Sequence, residues 1–339
     1  MNEVVTDQGD IADFDRASVR AASGPVLGRA EEAAEQRSAA AARQANLARR
    51  HSIQKAAFLL LWLSGLAAVL VLLVVVGYIL VEGAGAVLTD FPDFLLTAPR
   101  GGLSAEGGIS TTIVTTFYVV LLTVGIAAPL GLGAAVYLVE YAEEMQGGTG
   151  LIPRLVGVVR FGVETLAGVP SIIFGLFGYA LFVSAGALGF GFSLLSGSLA
   201  CACLILPVII RASEEALRAV PRSYREGSLA LGTTKWQTIA RVVLPAAMPG
   251  IITGIVLSVG RVVSETAVFY VTLGGTHNLP DSLLHGGRTM AMHLYTVATE
   301  TNAPEKAMGT GAVLIVTIVL INLVINIISR RMTAGLKGR

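Results

Sequence analysis

The chain has 339 residues, 54% hydrophobic and only 14% charged, with a formal net charge of +1. A soluble domain carries roughly 45–50% apolar and about 25% charged residues, so this balance excludes an ordinary soluble enzyme, and nothing in the charge calls for a nucleic-acid partner. What remains is a membrane protein, because several apolar runs reach the ~17–25 residues that cross a hydrocarbon core.

Residues 1–55 are polar and rich in Ala, Glu and Arg. Too few large apolar side chains are present to build a core, so the segment reads as a cytoplasmic N-terminal tail. It is expected to be mobile, or helical in part from about residue 30 to 55. The first apolar run starts near Ala56 and far exceeds the ~7–15 residues of a signal-peptide core, so it reads as a retained span.

Six apolar segments follow, at about 56–82, 109–139, 162–187, 193–211, 246–273 and 308–329. They define an all-α polytopic membrane protein with a transmembrane domain over 56–330 and a short cytoplasmic C-terminal tail, 331–339. Pro170 and Pro207 fall inside the third and fourth segments and read as kinks or tight packing points rather than chain reversals. Cys201 and Cys203 lie in the fourth, with no His or acidic neighbour, and read as small packing residues rather than metal ligands.

Lys and Arg set the orientation. With the N-terminus inside, 20 of the 24 fall in inner segments, only Arg100, Arg288 and Lys306 lie outside, and Arg261 is within the fifth span. That bias places both termini in the cytoplasm. The outer loop 274–307 holds His277, His285 and His293 at spacings of eight, which suit no regular metal geometry, and its stretch 285–300 reads as a re-entrant or interfacial helix. Glu140 and Glu164, near inner span ends, read as interface or packing residues.

The inner loop 212–245 has a helical pattern with defined ends. Ser213 is placed to cap a helix running toward Val220, and Pro221 to open a second. Glu226 to Leu231 reads as a short helix that Gly232 ends in the left-handed conformation. Thr233, Thr234 and Lys235 begin another toward Val243, which Pro245 interrupts.

This loop resembles the signature of ABC importer permeases: Glu-Ala-Ala, three residues, Gly, nine residues, Ile, one residue, Leu-Pro. Glu226, Gly232, Leu244 and Pro245 hold their places here, Val242 replaces Ile, and Gly227 and Ser228 replace the two Ala. The resemblance implies the MetI-like permease fold, with a coupling helix that sits in a groove of a separate ATPase subunit. Arg225, Glu226, Gly227, Ser228, Leu231 and Gly232 are then the ATPase-coupling residues. The chain has no G-x-x-x-x-G-K-[ST] sequence to cradle nucleotide phosphates, so hydrolysis is expected in another chain and this one is not itself an enzyme.

"PLGLGAAVYLVEYA" (129–142), "ETLAGVPSIIFGLFG" (164–178) and "GRVVSETAVFYVTLGG" (260–275) resemble the phosphate-specific (Pst) importer permeases, and the C-terminal third is closest to their PstA-type subunit. The resemblance covers about 56–330. It implies inorganic phosphate as cargo and needs no cofactor in this chain. It also implies four kinds of partner: an ATPase dimer, a second PstC-like permease chain, an extracytoplasmic phosphate-binding protein, and the lipid of a bacterial cytoplasmic membrane. A permease for another oxyanion, such as phosphonate, sulfate or molybdate, is the alternative within the class, and an ATP-independent transporter or channel is the alternative from outside it.

Arg261 and Glu265 stand near the middle of the fifth span. A charge at a membrane helix centre costs at least ~2.5–3.5 kcal/mol, so both need a reason. Four residues apart, they share a face of a continuous helix and can pair, either to brace the bundle or to line a path for an anion. A guanidinium matches phosphate oxygens in a planar fork and keeps its charge at physiological pH. Arg211, Ser264 and Thr266 complete the expected substrate path, though Arg211 at an inner span end also suits snorkelling to headgroups.

Overall fold

The computed structural model describes residues 50–51, 53–100, 106–142 and 151–337. The expected N-terminal tail therefore lies almost wholly outside the described residues. The chain divides into one unit up to Val75 and a second from Val76 onward.

Helix α1, Ile53–Thr89, supplies most of the described part of the first unit and the start of the second. In the first unit Phe58, Leu61, Trp62, Leu66 and Leu72 are all exposed. An α-helix satisfies its own backbone hydrogen bonds, so an apolar exterior of this kind suits lipid.

The second unit continues with α2 (Ser110–Tyr141), α3 (Leu151–Ala167), α4 (Ser171–Val183), α5 (Leu194–Arg218), α6 (Arg222–Ala230), α7 (Lys235–Ser264), α8 (Ala267–Thr272), α9 (Met290–Glu300) and α10 (Pro304–Lys337). Among the described residues five helices are long and apolar enough to cross a membrane, and α3 with α4 makes a sixth if the pair is one broken span.

Three sequence expectations change. The third span does not merely kink: α3 and α4 are bent by 108° across Gly168–Pro170. Pro170 has no amide hydrogen to continue the ladder, and its ring pushes Val169 out of the helical region. Ser213 caps nothing, because α5 continues through it to Arg218 and buries it. Pro245 interrupts nothing either. Residues 239–243 form a π-helical turn just before it, and α7 runs on to Ser264.

Helix α5 is the centre of the second unit. Ser193 caps it by accepting from the amide of Ser196, and Ile205, Ile209 and Leu217 are fully buried along it. α7 crosses it at a seam of small residues. A Cβ on Gly250 would sit 2.6 Å from that of Ala216, and one on Gly254 would sit 2.4 Å from that of Ala212. Both pairs repeat every fourth residue, so one face of each helix is flat enough for the backbones to touch. At the α6 end, Leu217, Val220, Ile239, Val243 and Ile251 form a second apolar core with Val136 and Val139 of α2. At the opposite end α9 forms the helix expected within 285–300, capped by Thr289.

Candidate functional site

Helix α6 buries no residue, unlike every span around it. Pro221 precedes its first turn with an extended ψ of 142°, and Gly232 follows its last at φ +83°. An L side chain in that left-handed conformation is strained, so the expected Gly232 terminator is where the cap needs it. The helix begins at Arg222, directly after Pro221 and four residues before Glu226, and ends at Ala230, one residue before the expected Leu231. Glu226 and Gly227 are exposed. Leu231 is 87% exposed, and Tyr224, Leu229 and Trp236 are open as well. Large apolar side chains presented from a polar helix mark a surface meant to be covered.

Ser228 is half-buried, and its hydroxyl joins those of Thr233 and Thr238 in a ring of contacts at 2.8, 3.0 and 2.9 Å. The second Ala position of the signature therefore holds a polar knot between α6 and the start of α7. Thr234 and Gln237 complete a capping box at that start.

The other α6 anchor was not visible in the loop alone. Arg225 forks onto Glu140, with Nη2 at 2.6 Å and Nε at 3.1 Å from Oε1. The same guanidinium donates to the carbonyls of Val220 at 2.8 Å and Leu217 at 2.9 Å. Glu140 is buried, in the π-helical turn that ends α2. Burial fits the expected packing role, and the partner that fixes it lies 85 residues away, beyond any local pattern. Removing one member of such a buried pair costs about 3–5 kcal/mol, because the other charge stays desolvated. Beside it, the Lys235 ammonium lies 4.6 Å from the ring centroid of Tyr141.

The second set of expected residues lies where α7 stops. Helical geometry ends at Ser264, Glu265 adopts an extended ψ of 132°, and α8 resumes at Ala267. The fifth span is thus broken at its charged centre. Arg261 and Glu265 do not pair: the extended ψ at Glu265 turns the chain so that the Val268 amide meets its carboxylate instead. Glu265 is buried and its Oε1 accepts the amide of Val268 at 3.3 Å, while Arg261 is exposed. Ser264 spends its hydroxyl on the carbonyls of Gly260 and Arg261, and Thr266 is half-buried in the break. Arg211 is exposed on α5.

The exposed stripe of α7 runs through Ala246, Pro249, Thr253, Leu257, Arg261 and Ser264. Small and polar residues dominate it. The exposed stripe of α2, by contrast, carries Phe117, Tyr118, Leu121, Leu130 and Tyr137. Lipid suits the second stripe; Arg261 makes it costly for the first, since a guanidinium facing hydrocarbon costs at least ~2.5–3.5 kcal/mol.

At the end opposite α6, Arg288 donates from Nε to the carbonyl of Gly275 at 3.0 Å. His293 is buried beneath it, and burial first, then the Arg288 and His277 charges, pushes its pKa down to about 4. At neutral pH it is an uncharged packing residue.

Comparison with known proteins adds the following. Residues 150–338 match the family described as binding-protein-dependent transport system inner membrane component. The chain is 43% identical over 231 residues to phosphate transport system permease protein PstA 1 of Mycobacterium tuberculosis, covering 66% of this chain and 72% of that one. It is 32% identical over 278 residues to a probable ABC transporter permease, YqgI, of Bacillus subtilis, covering 76% and 90%. Among solved structures, a bacterial alginate ABC transporter matches with a TM-score of 0.58 at 15% identity, over 81% of this chain and 95% of the other, a likeness of fold.

Proposed function

Because this chain belongs to the family of binding-protein-dependent transport inner membrane components, of the PstA type, we propose that it is the transmembrane subunit of an ATP-driven importer of inorganic phosphate. The observation that carries the ATP-driven mechanism is α6, a short helix with open apolar side chains, tied at both ends to spans and buried by none of them. An ATPase subunit that seats this helix moves the spans with it. Phosphate as the cargo is supported by the likeness to permeases named for phosphate transport.

The reading has further parts. The excess of Lys and Arg on one side supports cytoplasmic termini and a cytoplasmic α6. A second, PstC-like permease chain closes the path against the exposed stripe of α7. A phosphate-binding protein delivers cargo from the other side, and two ATPase subunits seat the two coupling helices. Arg261 meets the anion where the fifth span breaks. There the guanidinium offers a planar fork to phosphate oxygens, and unwound backbone lines the path, as broken helices do in transporters. Glu265, held on the Val268 amide, is within the same break and limits how firmly the site retains an anion.

Uptake of radiolabelled phosphate by vesicles holding the complete complex tests the cargo. Uptake should require ATP and resist a tenfold excess of sulfate or phosphonate by roughly an order of magnitude in apparent affinity. Equal competition by either anion would assign the chain to another oxyanion. Uptake that persists with the ATPase inactivated would remove the coupling reading.

A further inference from the structure

We infer that Glu140 and Arg225 are positioning residues for energy coupling: a buried brace that makes the coupling helix, the end of the second span and the end of the fourth move as one body. This rests on the reading of α6 as the coupling helix. Nothing in the loop signature requires it, since Glu140 lies 85 residues before Arg225.

The argument begins with how one guanidinium is used. Arg225 gives two nitrogens to the Glu140 carboxylate, which α2 holds in its terminal π-helical turn. It gives the remaining hydrogen bonds to the carbonyls of Leu217, in the last turns of α5, and Val220, in the link to α6. A single planar group thus joins three elements, and its fork fixes direction as well as distance. Lysine, a point charge on a flexible stem, could reach Glu140 and the Leu217 carbonyl from one nitrogen but would lose the Nε contact to Glu140 and the Nη1 contact to Val220.

Burial makes the brace stiff. The Glu140 side chain is 7% exposed and that of Arg225 20%. Pulling them apart leaves a carboxylate without water or partner, so displacement of α6 is transmitted to α2 rather than absorbed by side-chain rotation. The π-helical turn at 137–141 adds a local feature of the kind found at functional sites in helices. At the far end of α6 the hydroxyls of Ser228, Thr233 and Thr238 tie the helix to α7, so the lever has no loose end toward the spans.

A lever held in this way predicts a specific failure. With the brace gone, ATP should still bind and be hydrolysed, but closure of the ATPase should no longer be felt in the path. The test uses the full complex reconstituted with its ATPase and binding protein. For wild type, Glu140→Gln, Arg225→Gln, Arg225→Lys and the double variant Glu140→Gln/Arg225→Gln, three quantities are measured: assembly by gel filtration, hydrolysis with and without loaded binding protein, and uptake per ATP hydrolysed.

Glu140→Gln should assemble and keep its unstimulated hydrolysis. Its stimulation by loaded binding protein and its uptake per ATP should fall about tenfold, within the ~5–150-fold range of coupling between sites. Arg225→Lys should lose part of both. The double variant should lose no more than the worse single, because the two residues act as one unit.

A purely structural role would lower assembly and leave uptake per ATP in the surviving complex at the wild-type value. That result, or additive losses in the double variant, would overturn the brace. Should Glu140→Gln fail to assemble, Arg225→Lys carries the same comparison. The stimulated hydrolysis is read with phosphate-loaded and sulfate-loaded binding protein alike, so a failure of the phosphate assignment shows in wild type and is separate from a failure of the brace.

Discussion

Arg261 is exposed on a helix whose neighbouring residues, Val262 and Val263, are buried. Such a charge either faces a watered path or braces something in a partner chain, and the two roles differ in what substitution does. As an anion contact, Arg261→Gln should lower phosphate uptake by roughly ten- to hundredfold, the loss of charged hydrogen bonds worth about 1.5–3 kcal/mol. Arg261→Lys, which keeps charge without the fork, should lose less. Uptake is measured per assembled complex, so a bracing role would show instead as poor assembly with normal uptake in what assembles. Glu265 explains why residue spacing misled here. A spacing of four gives two residues a shared face but not a bond, and the extended ψ at Glu265 brings the Val268 amide round to its carboxylate. No local residue preference forecasts that break: it depends on what α7 and α8 pack against.

Among elements, α6 is the most readable and the spans around it the least. Pro221 and Gly232 act through their own backbone preferences, so their placement survives folding unchanged. Glu140 with Arg225 and the Ser228 knot required tertiary structure, since each joins segments whose pairing no local pattern encodes. The α5–α7 seam belongs to the same class. Gly254 looks like a weak point in a membrane helix, and replacement by Ala should favour helix formation by roughly 1 kcal/mol. Its Cβ, however, would lie 2.4 Å from that of Ala212. Overpacking should dominate, so Gly254→Ala should lower stability by about 1–3 kcal/mol, read as a lower thermal midpoint in detergent. Ala212→Gly removes the opposing atom and should restore much of the midpoint in the double variant. A double variant as unstable as the sum of the two singles would show that the seam is not the cause.

At the scale of the whole molecule, the proposed arrangement of six crossings with both termini inside requires α6 and the 274–289 segment to face opposite sides of the membrane. The positive-inside bias supports that arrangement, with α6 cytoplasmic. Leu231 is almost fully open beside α6, and Leu279 is open on the segment between α8 and α9. Native Cys201 and Cys203 are buried and half-buried in α5, so they give little background to a membrane-impermeant maleimide. Leu279→Cys should react in intact cells, whereas Leu231→Cys should react only in inverted vesicles. The second reaction carries more information, because it is also where an ATPase subunit is expected to sit. In inverted vesicles stripped of that subunit the label should enter readily, and adding the subunit back should slow it at least tenfold if binding buries the side chain. Labelling of Leu231→Cys from outside would reverse the topology and with it the cytoplasmic coupling surface. Labelling from inside without protection would leave the topology intact while moving the ATPase contact away from the end of α6.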